Sequence, residues 1–233
     1  VISNDGKLLT LRSSGSRFSL ACLPKEDFPI IETTSNGNKI KAKAEILFKL
    51  IDKTKFAISN EETRYFLNGL YCSIIKEDNN NFITFVGTDG HRLAKFSSLN
   101  NNFTTEIPGV IIPKKTINEL SKLLSESTNE IELDISANKI IFYFDNLILI
   151  SKLIDGNFPD YTRVIPKNNN NDLMVNREDL LSAVDRVSTI ANEKSPSIKF
   201  KLLENLINLS SINSENSTAT EDIEASYEGN EIE

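Results

Sequence analysis

The chain has 233 residues, which is too long for a disulfide-stabilised mini-protein and long enough for one large domain or two ordinary ones. Hydrophobic residues make up 39% of it and charged residues 25%, a composition typical of globular proteins rather than disordered ones. The net charge of −7 argues against binding of nucleic acid by bulk positive charge, and no stretch reaches the roughly 18 apolar residues that a membrane span requires.

Turn residues divide the chain into short segments, most of which have the composition of strands. In chain order, apolar spacing and β-branched runs predict a helix over 44–58, strands over 74–75, 82–86 and 93–96, a helix over 113–124, strands over 131–135 and 140–144, and a helix over 177–191. Asparagine clusters at 79–81, 100–102 and 168–171 are predicted loop tips. Many strands with few helices indicate an α+β fold with antiparallel sheets.

Two cysteines and one histidine limit the chemistry open to the chain. Cys22 and Cys72 lack C-x-x-C spacing, which argues against a zinc site or a disulfide framework, and both are predicted to be buried free thiols in apolar strands. The first residues show no secretory signal, so we expect a protein of the reducing cytoplasm. His91 is the one candidate for imidazole catalysis.

Two features recur along the chain at nearly one offset. Residues 18–29 and 148–159 each consist of an apolar strand, a leucine, a spacer with an acid and an Asx-Phe-Pro exit, with 130 residues between the two phenylalanines. The first and third predicted helices also match, with 133 residues between their aspartates. Chance similarity of amphipathic helices is the alternative explanation. We interpret the matches as tandem duplication of a domain of about 130 residues.

The segment 87–94, Gly-Thr-Asp-Gly-His-Arg-Leu-Ala, joins two predicted strands. Its Asp-Gly pair is typical of a tight hairpin turn, and one interpretation is a plain turn that exposes His91 and Arg92 to solvent. The other is a small recognition site made by these two residues beside Leu93. No serine or cysteine nucleophile accompanies the histidine, so we do not expect catalysis here.

Charge is segregated along the sequence, which weakens the argument from net charge. Acidic residues cluster in 215–233, whereas lysines lie off the apolar faces of the first two predicted helices, at Lys49, Lys53, Lys55, Lys114, Lys115 and Lys122. The segment 61–69 places an arginine beside aromatic residues, which suits either packing or contact with nucleic acid. No phosphate-binding glycine loop, dinucleotide fingerprint or nucleophile elbow occurs.

Four motifs occur in a specific order: Arg-Tyr-Phe-Leu-Asn-Gly at 64–69, Thr-Asp-Gly-His-Arg-Leu at 88–93, Ile-Ile-Pro-Lys-Lys at 111–115 and Asp-Gly-Asn-Phe-Pro-Asp-Tyr at 155–161. Together they resemble the bacterial DNA polymerase sliding clamp, the beta subunit of DNA polymerase III. The resemblance runs along the whole chain, from Arg-Phe-Ser-Leu at 17–20 to Asn-Glu-Lys at 192–194.

The resemblance implies the DNA clamp fold, with tandem repeated domains that each pack two helices on antiparallel sheets. In that family each chain has three domains, and two chains close a ring around duplex DNA. Residues 1–37 would then be the C-terminal part of the first domain, 38–170 the complete middle domain and 171–233 the N-terminal part of the third.

The implied function is that of a non-catalytic processivity factor with no metal or cofactor and no membrane association. Such a clamp holds DNA by topology, so weak and screened phosphate contacts let it slide. Its partners would be duplex DNA, the catalytic subunit of DNA polymerase III, the clamp loader and repair proteins. The full-length protein would form a homodimer, and we expect this chain to dimerise weakly or not at all.

The resemblance also assigns site residues. A pocket for partner peptides would be formed by Leu67, Thr88, Gly90, His91, Arg92, Leu93 and Pro166. The DNA-facing residues would be Lys49, Lys53, Arg64, Tyr65, Phe66, Lys114 and Lys115. The dimer interface would include Phe18, Leu20 and Ile190.

Two other functions remain open from the residues alone. One is an acidic, metal-dependent DNA-processing enzyme with Asp89, Asp155 and Asp160 as its carboxylates, which a Mg²⁺-dependent cleavage assay would reveal. The other is a repeat-domain scaffold that does not act on DNA, which gel-shift or loading assays would separate from a clamp.

Overall fold

Short antiparallel strands form most of the regular structure in the computed structural model, which describes residues 1–4, 6–28, 37–77, 80–99, 107–192 and 196–233. Its contacts divide the chain into two units, Val1–Pro159 and Asp160–Glu233. This division falls ahead of the predicted limit between 170 and 171, because the segment up to Pro159 packs on the first unit. The three predicted domain ranges stay predictions.

The first strands form a separate three-stranded antiparallel sheet in the order β1-β2-β3. β1 is Ile2–Asn4, β2 is Leu8–Ser13 and β3 is Ser16–Ala21. β3 lies at the edge of this sheet, and all of its side chains are exposed.

The predicted middle domain begins with a strand, a helix and a three-stranded meander. These elements are β4 at Asn38–Lys43, α1 at Ala44–Asp52, β5 at Gly69–Glu77, β6 at Asn80–Thr88 and β7 at Leu93–Leu99. The same order then recurs, with β8 at Ile107–Pro113, α2 at Lys114–Ser125, β9 at Glu130–Ile135, β10 at Lys139–Tyr143 and β11 at Ile148–Lys152.

The two halves exchange their leading strands. β8 pairs with β5, which gives a sheet of order β7-β6-β5-β8, and β4 pairs with β9, which gives the order β11-β10-β9-β4. All the described pairs are antiparallel, and the two helices pack against each other on the sheets. The prediction of an α+β fold with two helices on antiparallel sheets and internal pseudo-symmetry is confirmed.

The core of the first unit explains why these two helices form. Their buried apolar residues recur at helical spacing and meet the inward faces of both sheets. The buried helix residues are Leu47, Leu50, Ile51, Ile117, Leu120 and Leu124. Each sheet contributes alternate β-branched and aromatic residues, such as Ile83 and Phe85 on β6.

Helix limits differ from the prediction where side chains replace backbone hydrogen bonds. The helix predicted over 44–58 ends at Asp52 and is followed by a 3₁₀ turn at Lys55–Ala57. The buried Thr54 hydroxyl donates to the Leu50 carbonyl at 2.6 Å, which satisfies an acceptor at the helix end. The second helix is displaced by one residue, because Pro113 is its extended N-cap and the last residue of β8.

The strands contain the predicted segments, but the Asn cluster at 79–81 is not a loop tip throughout. Asn80 and Asn81 begin β6 and pair with Glu77 and Lys76, so the ladder continues up to the connection. Asn79 and the cluster at 100–102 lie outside the described residues. Residues 168–171 have no regular structure and are exposed, as predicted.

The second unit contains β12 at Met174–Val175, α3 at Arg177–Ser188, β13 at Lys199–Leu203, β14 at Leu206–Ile212 and β15 at Thr218–Ser226. Its sheet has the order β12-β15-β14-β13 and shares a small core with α3. This helix was predicted over 177–191. It ends at Ser188, where the Ser188 and Thr189 hydroxyls donate to carbonyls of the last turn.

The two cysteines have different environments. Cys72 lies on β5 and is fully buried, as predicted, and burial raises the pKa of its thiol to about 12. Cys22 follows the last residue of β3 and is only half-buried, so the prediction of a buried strand position is wrong for it. The short sheet that precedes Cys22 leaves that side chain partly uncovered.

Candidate partner-binding and DNA-facing sites

The turn between β6 and β7 is built by its own side chains. Gly90 has a φ of +89°, a conformation that a glycine adopts without steric cost. The Asp89 carboxylate accepts hydrogen bonds from the backbone N–H groups of His91 and Arg92, both at 3.0 Å. The Thr88 hydroxyl donates to the Arg92 carbonyl at 2.7 Å. The segment is therefore an ordered turn that displays His91 and Arg92 at the surface.

Arg92 is held in place by two groups besides its own backbone. Its Nε donates to Asp89 Oδ2 at 3.0 Å, and one terminal nitrogen donates to the Phe56 carbonyl at 2.8 Å. The guanidinium carbon also lies 5.5 Å from the centre of the Phe56 ring, within the range of a cation–π contact. The arginine is exposed but oriented, which suits recognition of a ligand.

Asp89 should remain ionised to unusually low pH. Hydrogen bonds from the backbone N–H of His91, and then from Arg92, lower its pKa from 3.8 to about 2. The depressed pKa means that the carboxylate's contribution to the turn is complete above the ordinary pKa and is lost as pH falls through the folded value. In NMR spectra, the His91 and Arg92 amides should show no Asp89 titration between about pH 5 and about pH 3.

The variant Asp89→Asn is the control for this titration, because it removes the ionisable group and keeps one acceptor oxygen. A transition centred on 3.8 in the unaltered protein, absent from Asp89→Asn, would contradict the hydrogen-bonded turn.

Arg64 lies beside this turn as well as on the segment predicted to face DNA. A Cβ built on Gly90 would come within 2.5 Å of an Arg64 terminal nitrogen, so the guanidinium lies against the turn backbone. The same guanidinium donates two hydrogen bonds, of 2.7 and 2.6 Å, to the Glu61 carboxylate. This pairing lowers the pKa of Glu61 and raises that of Arg64. A DNA phosphate would have to compete with Glu61 for this arginine.

The apolar residues predicted for the pocket differ in exposure. Leu67 is only 3% exposed, which fits the floor of a pocket better than a wall. Leu93 is half-buried at the start of β7, and Thr88 is buried within the turn. Pro166 belongs to the second unit and is exposed. Its part in the pocket stays a prediction.

Tyr65 and Phe66 lie beside Gly156, close to the end of the first unit. The two rings meet edge to face at 5.8 Å, and Gly156 packs against Phe66. Phe158 stacks on Tyr71 with their ring centres 4.9 Å apart. Tyr65 nevertheless remains 55% exposed and could contact a ligand.

The lysines predicted to face DNA have separate local contacts. Lys49 on α1 lies over the Phe96 ring at 5.7 Å, and Lys114 at the start of α2 donates to the Asn60 side chain. Lys53 and Lys115 are exposed. None of these contacts is with an acidic group, so each lysine keeps its positive charge available. A common DNA-facing side for them stays a prediction.

The net negative charge belongs to one unit. Residues 1–159 carry 19 basic and 19 acidic side chains, whereas 160–233 carry 7 basic and 14 acidic ones. The unit that contains α1 and α2 is therefore neutral overall, and its helix lysines do not act against a net negative charge.

The carboxylates considered for a metal site are used otherwise or stand apart. Asp89 caps its own turn, and Asp160 accepts from Thr162 and Arg163 within the second unit. Over residues 1–4, 6–28, 37–77, 80–99, 107–192 and 196–233, no His, Cys, Asp and Glu side chains form a group of three or more that could hold a metal ion. Among the same residues, no helix has both the length and the apolar character needed to cross a membrane.

Two family models match the chain in succession. The model of the DNA polymerase III beta subunit, central domain, matches residues 41–160, and the model of its C-terminal domain matches 162–233. The chain belongs to the DNA polymerase III beta subunit family.

Known beta subunits resemble the chain along almost all of it. The beta sliding clamp of Caulobacter vibrioides is 42% identical over 231 residues, which are 99% of this chain and 62% of that protein. A crystal structure of the C. crescentus clamp, with PEG at the region assigned to beta-motif tethering, has a TM-score of 0.91 and 41% identity, covering 99% of this chain and 61% of that one. A crystal structure of the Bartonella birtlesii clamp bound to griselimycin has a TM-score of 0.89 and 40% identity, covering 99% of this chain and 62% of that one. The chain thus spans about three fifths of the length of these relatives.

The residues predicted for the beta subunit dimer interface are accessible. Phe18 is 58% and Leu20 46% exposed on the edge strand β3, and they lie two residues apart on one face of it. Ile190 is half-buried just after α3 in the second unit. Exposed apolar side chains on an open edge strand are a hazard unless a partner covers them.

Sequence reasoning missed two residues that hold the arginines of this candidate site. Glu61 could have been found, because it precedes Arg64 by three residues in a segment that favours such a pair. Phe56 could not, because it lies 36 residues from Arg92 and only the fold brings them together.

Proposed function

We propose that this chain is part of a sliding clamp, a ring that encircles duplex DNA and tethers DNA polymerase III to its template. The observation that carries the proposal is the match to beta sliding clamps at about 40% identity over 99% of the chain, with the same fold. The protein would act in the cytoplasm as a non-catalytic subunit, with no metal or cofactor in its mechanism.

The charge pattern supports retention by topology rather than by affinity. A ring needs only weak contacts with phosphates, because it cannot dissociate without opening. Lysines on α1 and α2 of a unit with no net charge meet this requirement, since they offer local positive charge without a strongly basic surface.

The turn at Thr88–Arg92 is proposed as the partner site, together with the apolar side chains of Leu67 and Leu93. An extended peptide could bury apolar side chains on these leucines while Arg92 satisfies a peptide oxygen. The relatives bound to PEG at the tethering region and to griselimycin support ligand binding in this family. The partners would be the polymerase III catalytic subunit, the clamp loader and repair proteins.

Phe18→Glu should disrupt a homodimer of the full-length protein. Phe18 is 58% exposed, so its burial contributes about 1.5 kcal/mol at each interface, roughly half of the value for a fully exposed phenylalanine. Loss of this contact in both interfaces of a ring, about 3 kcal/mol, should raise the dimer Kd about a hundredfold. Sedimentation equilibrium measures the change.

Leu23→Glu is the matched control for this substitution. Leu23 is also strongly exposed, but it follows β3 instead of lying on it. Equal dimerisation of Phe18→Glu and the unaltered protein would place the interface elsewhere.

The function as a whole is tested by primer extension on a long single-stranded template. The full-length protein, added with polymerase III and the clamp loader, should lengthen the product made in each binding event. It should not cleave duplex DNA in the presence of Mg²⁺. Products of unchanged length would contradict the proposal. Mg²⁺-dependent cleavage would support the alternative function, a metal-dependent DNA-processing enzyme.

A further inference from the structure

Phe56 is a large aromatic residue that the fold leaves in solvent. The residue is 57% exposed on the 3₁₀ turn Lys55–Ala57, although Thr54 before the turn and Ala57 at its end are buried. A single exposed apolar side chain is ordinary in itself. Phe56 is unusual because both its ring and its carbonyl contact the same charged side chain, that of Arg92.

The backbone next to Phe56 packs closely on β6, the strand that leads into the Thr88–Arg92 turn. A Cβ built on Gly87 would lie 2.7 Å from the Thr54 carbonyl oxygen, so a glycine is needed for this close approach. Gly87 immediately precedes Thr88. The 3₁₀ turn and the Thr88–Arg92 turn therefore form one packed structure, and Phe56 has a defined position relative to Arg92.

Arg92 is fixed in orientation by these contacts without being used up by them. Its Nε–H donates to Asp89 and one N–H of a terminal nitrogen donates to the Phe56 carbonyl. Three of its five N–H donors remain for a ligand. The side chain is more than half exposed, so these donors can reach a ligand. They suit a planar acceptor such as a peptide carbonyl or a carboxylate.

We propose that Phe56 is a positioning residue of the partner site, where its ring and carbonyl hold the Arg92 guanidinium in the orientation that binds a partner peptide. The inference rests on the proposed function, because it assigns this turn to partner binding. The ligand is a short extended peptide that places an apolar side chain by Leu93 and a backbone or carboxylate oxygen on Arg92. Binding covers the ring and guanidinium and so strengthens their contact.

The test is peptide binding to the full chain, measured by fluorescence anisotropy. The probe is the tightest-binding member of a set of overlapping labelled peptides that tile the polymerase III catalytic subunit. Phe56→Leu should weaken its binding about fivefold to tenfold, which is the gain of a cation–π contact when an exposed pair becomes desolvated. Phe56→Tyr keeps an aromatic ring and should bind within about twofold of the unaltered protein. Since Phe56 is exposed, neither variant should change the thermal unfolding midpoint.

A double-mutant cycle shows whether Phe56 acts through Arg92. Arg92→Ala should weaken binding at least as much as Phe56→Leu, and the combined variant should bind no more weakly than Arg92→Ala alone. Additive losses, or a loss in Phe56→Tyr equal to that in Phe56→Leu, would overturn the inference. Full affinity in all of Phe56→Leu, Arg92→Ala and Leu93→Ala would instead remove the proposed partner site, and the inference with it.

Discussion

Replacing Lys114 and Lys115 together with glutamate should reduce clamp loading on DNA by about thirtyfold. An exposed ion pair contributes up to about 1 kcal/mol, and four lysine–phosphate contacts in a two-chain ring at about half that value amount to about 2 kcal/mol. Both residues begin α2, where Lys115 is exposed and Lys114 is half-buried. Among the described contacts neither has an acidic partner to lose, and Lys114 loses only its hydrogen bond to the exposed side chain of Asn60. The fold should therefore be unaffected.

The measurement is the rate of loader-dependent loading onto nicked circular duplex, at several salt concentrations. The difference between the variant and the unaltered protein should shrink as salt rises, because salt screens these contacts. Lys139→Glu with Lys152→Glu is the matched control, since these lysines face each other on β10 and β11 and the change in charge is the same. Equal losses in both double variants would mean that net charge, not the helix surface, governs loading.

Leu93→Ala should weaken binding of partner peptides by about 1–3 kcal/mol while leaving the retention of an already loaded ring on circular DNA intact. Loss of a buried apolar anchor has a cost of this size, which corresponds to about fivefold to about 150-fold in Kd. Leu93 is half-buried in the free chain, so a peptide can cover only the rest of its surface. Incomplete cover by the peptide would place the loss of binding free energy in the lower half of the range of about 1–3 kcal/mol.

Leu99→Ala is the control, because Leu99 lies on the same face of β7, six residues further along and away from the turn. Peptide titration by anisotropy and retention of the loaded ring on circular DNA should be measured on both variants. Equal peptide affinity of Leu93→Ala and Leu99→Ala would place the anchor elsewhere.

The elements that the sequence predicts well are those with a local cause. α2 differs from its prediction by one residue, because its apolar face recurs without interruption from Ile117 to Leu124. The Asp-Gly pair predicts the position of the Thr88–Arg92 turn but not its type. Four residues join Thr88 to Leu93 and Gly90 has a positive φ but Asp89 does not, whereas a two-residue type I′ turn needs a positive φ at both. The turn's exposure of a histidine and an arginine could be predicted in the same way.

The elements that could not be predicted depend on contacts between distant segments. α1 continues in the sequence pattern as far as Ile58, but the close approach of Thr54 to Gly87 and the Thr54 hydroxyl end it at Asp52. The exchange of leading strands between the two halves joins β5 to β8 and β4 to β9, which local patterns do not specify. The contact of Phe56 with Arg92 depends on the close approach of Thr54 to Gly87.

The placement of Arg64 shows how far a resemblance reaches. It was assigned to the DNA-facing side, and that role stays a prediction. In the fold its guanidinium lies against Gly90 of the Thr88–Arg92 turn and donates hydrogen bonds to Glu61. A sequence motif identified the residue, but only the structure shows which acid neutralises it and which turn it touches.

Ring closure around DNA is tested most directly by comparing retention on circular and cut DNA. The full-length protein is loaded onto a nicked circular duplex, the complex is isolated by gel filtration in high salt, and half of it is cut at one site. A topological clamp stays on the circle, because salt screens its phosphate contacts but does not open the ring, and it slides off after the cut. Equal retention on both forms, or complete release from the uncut circle by salt alone, would mean that affinity rather than topology holds the protein on DNA.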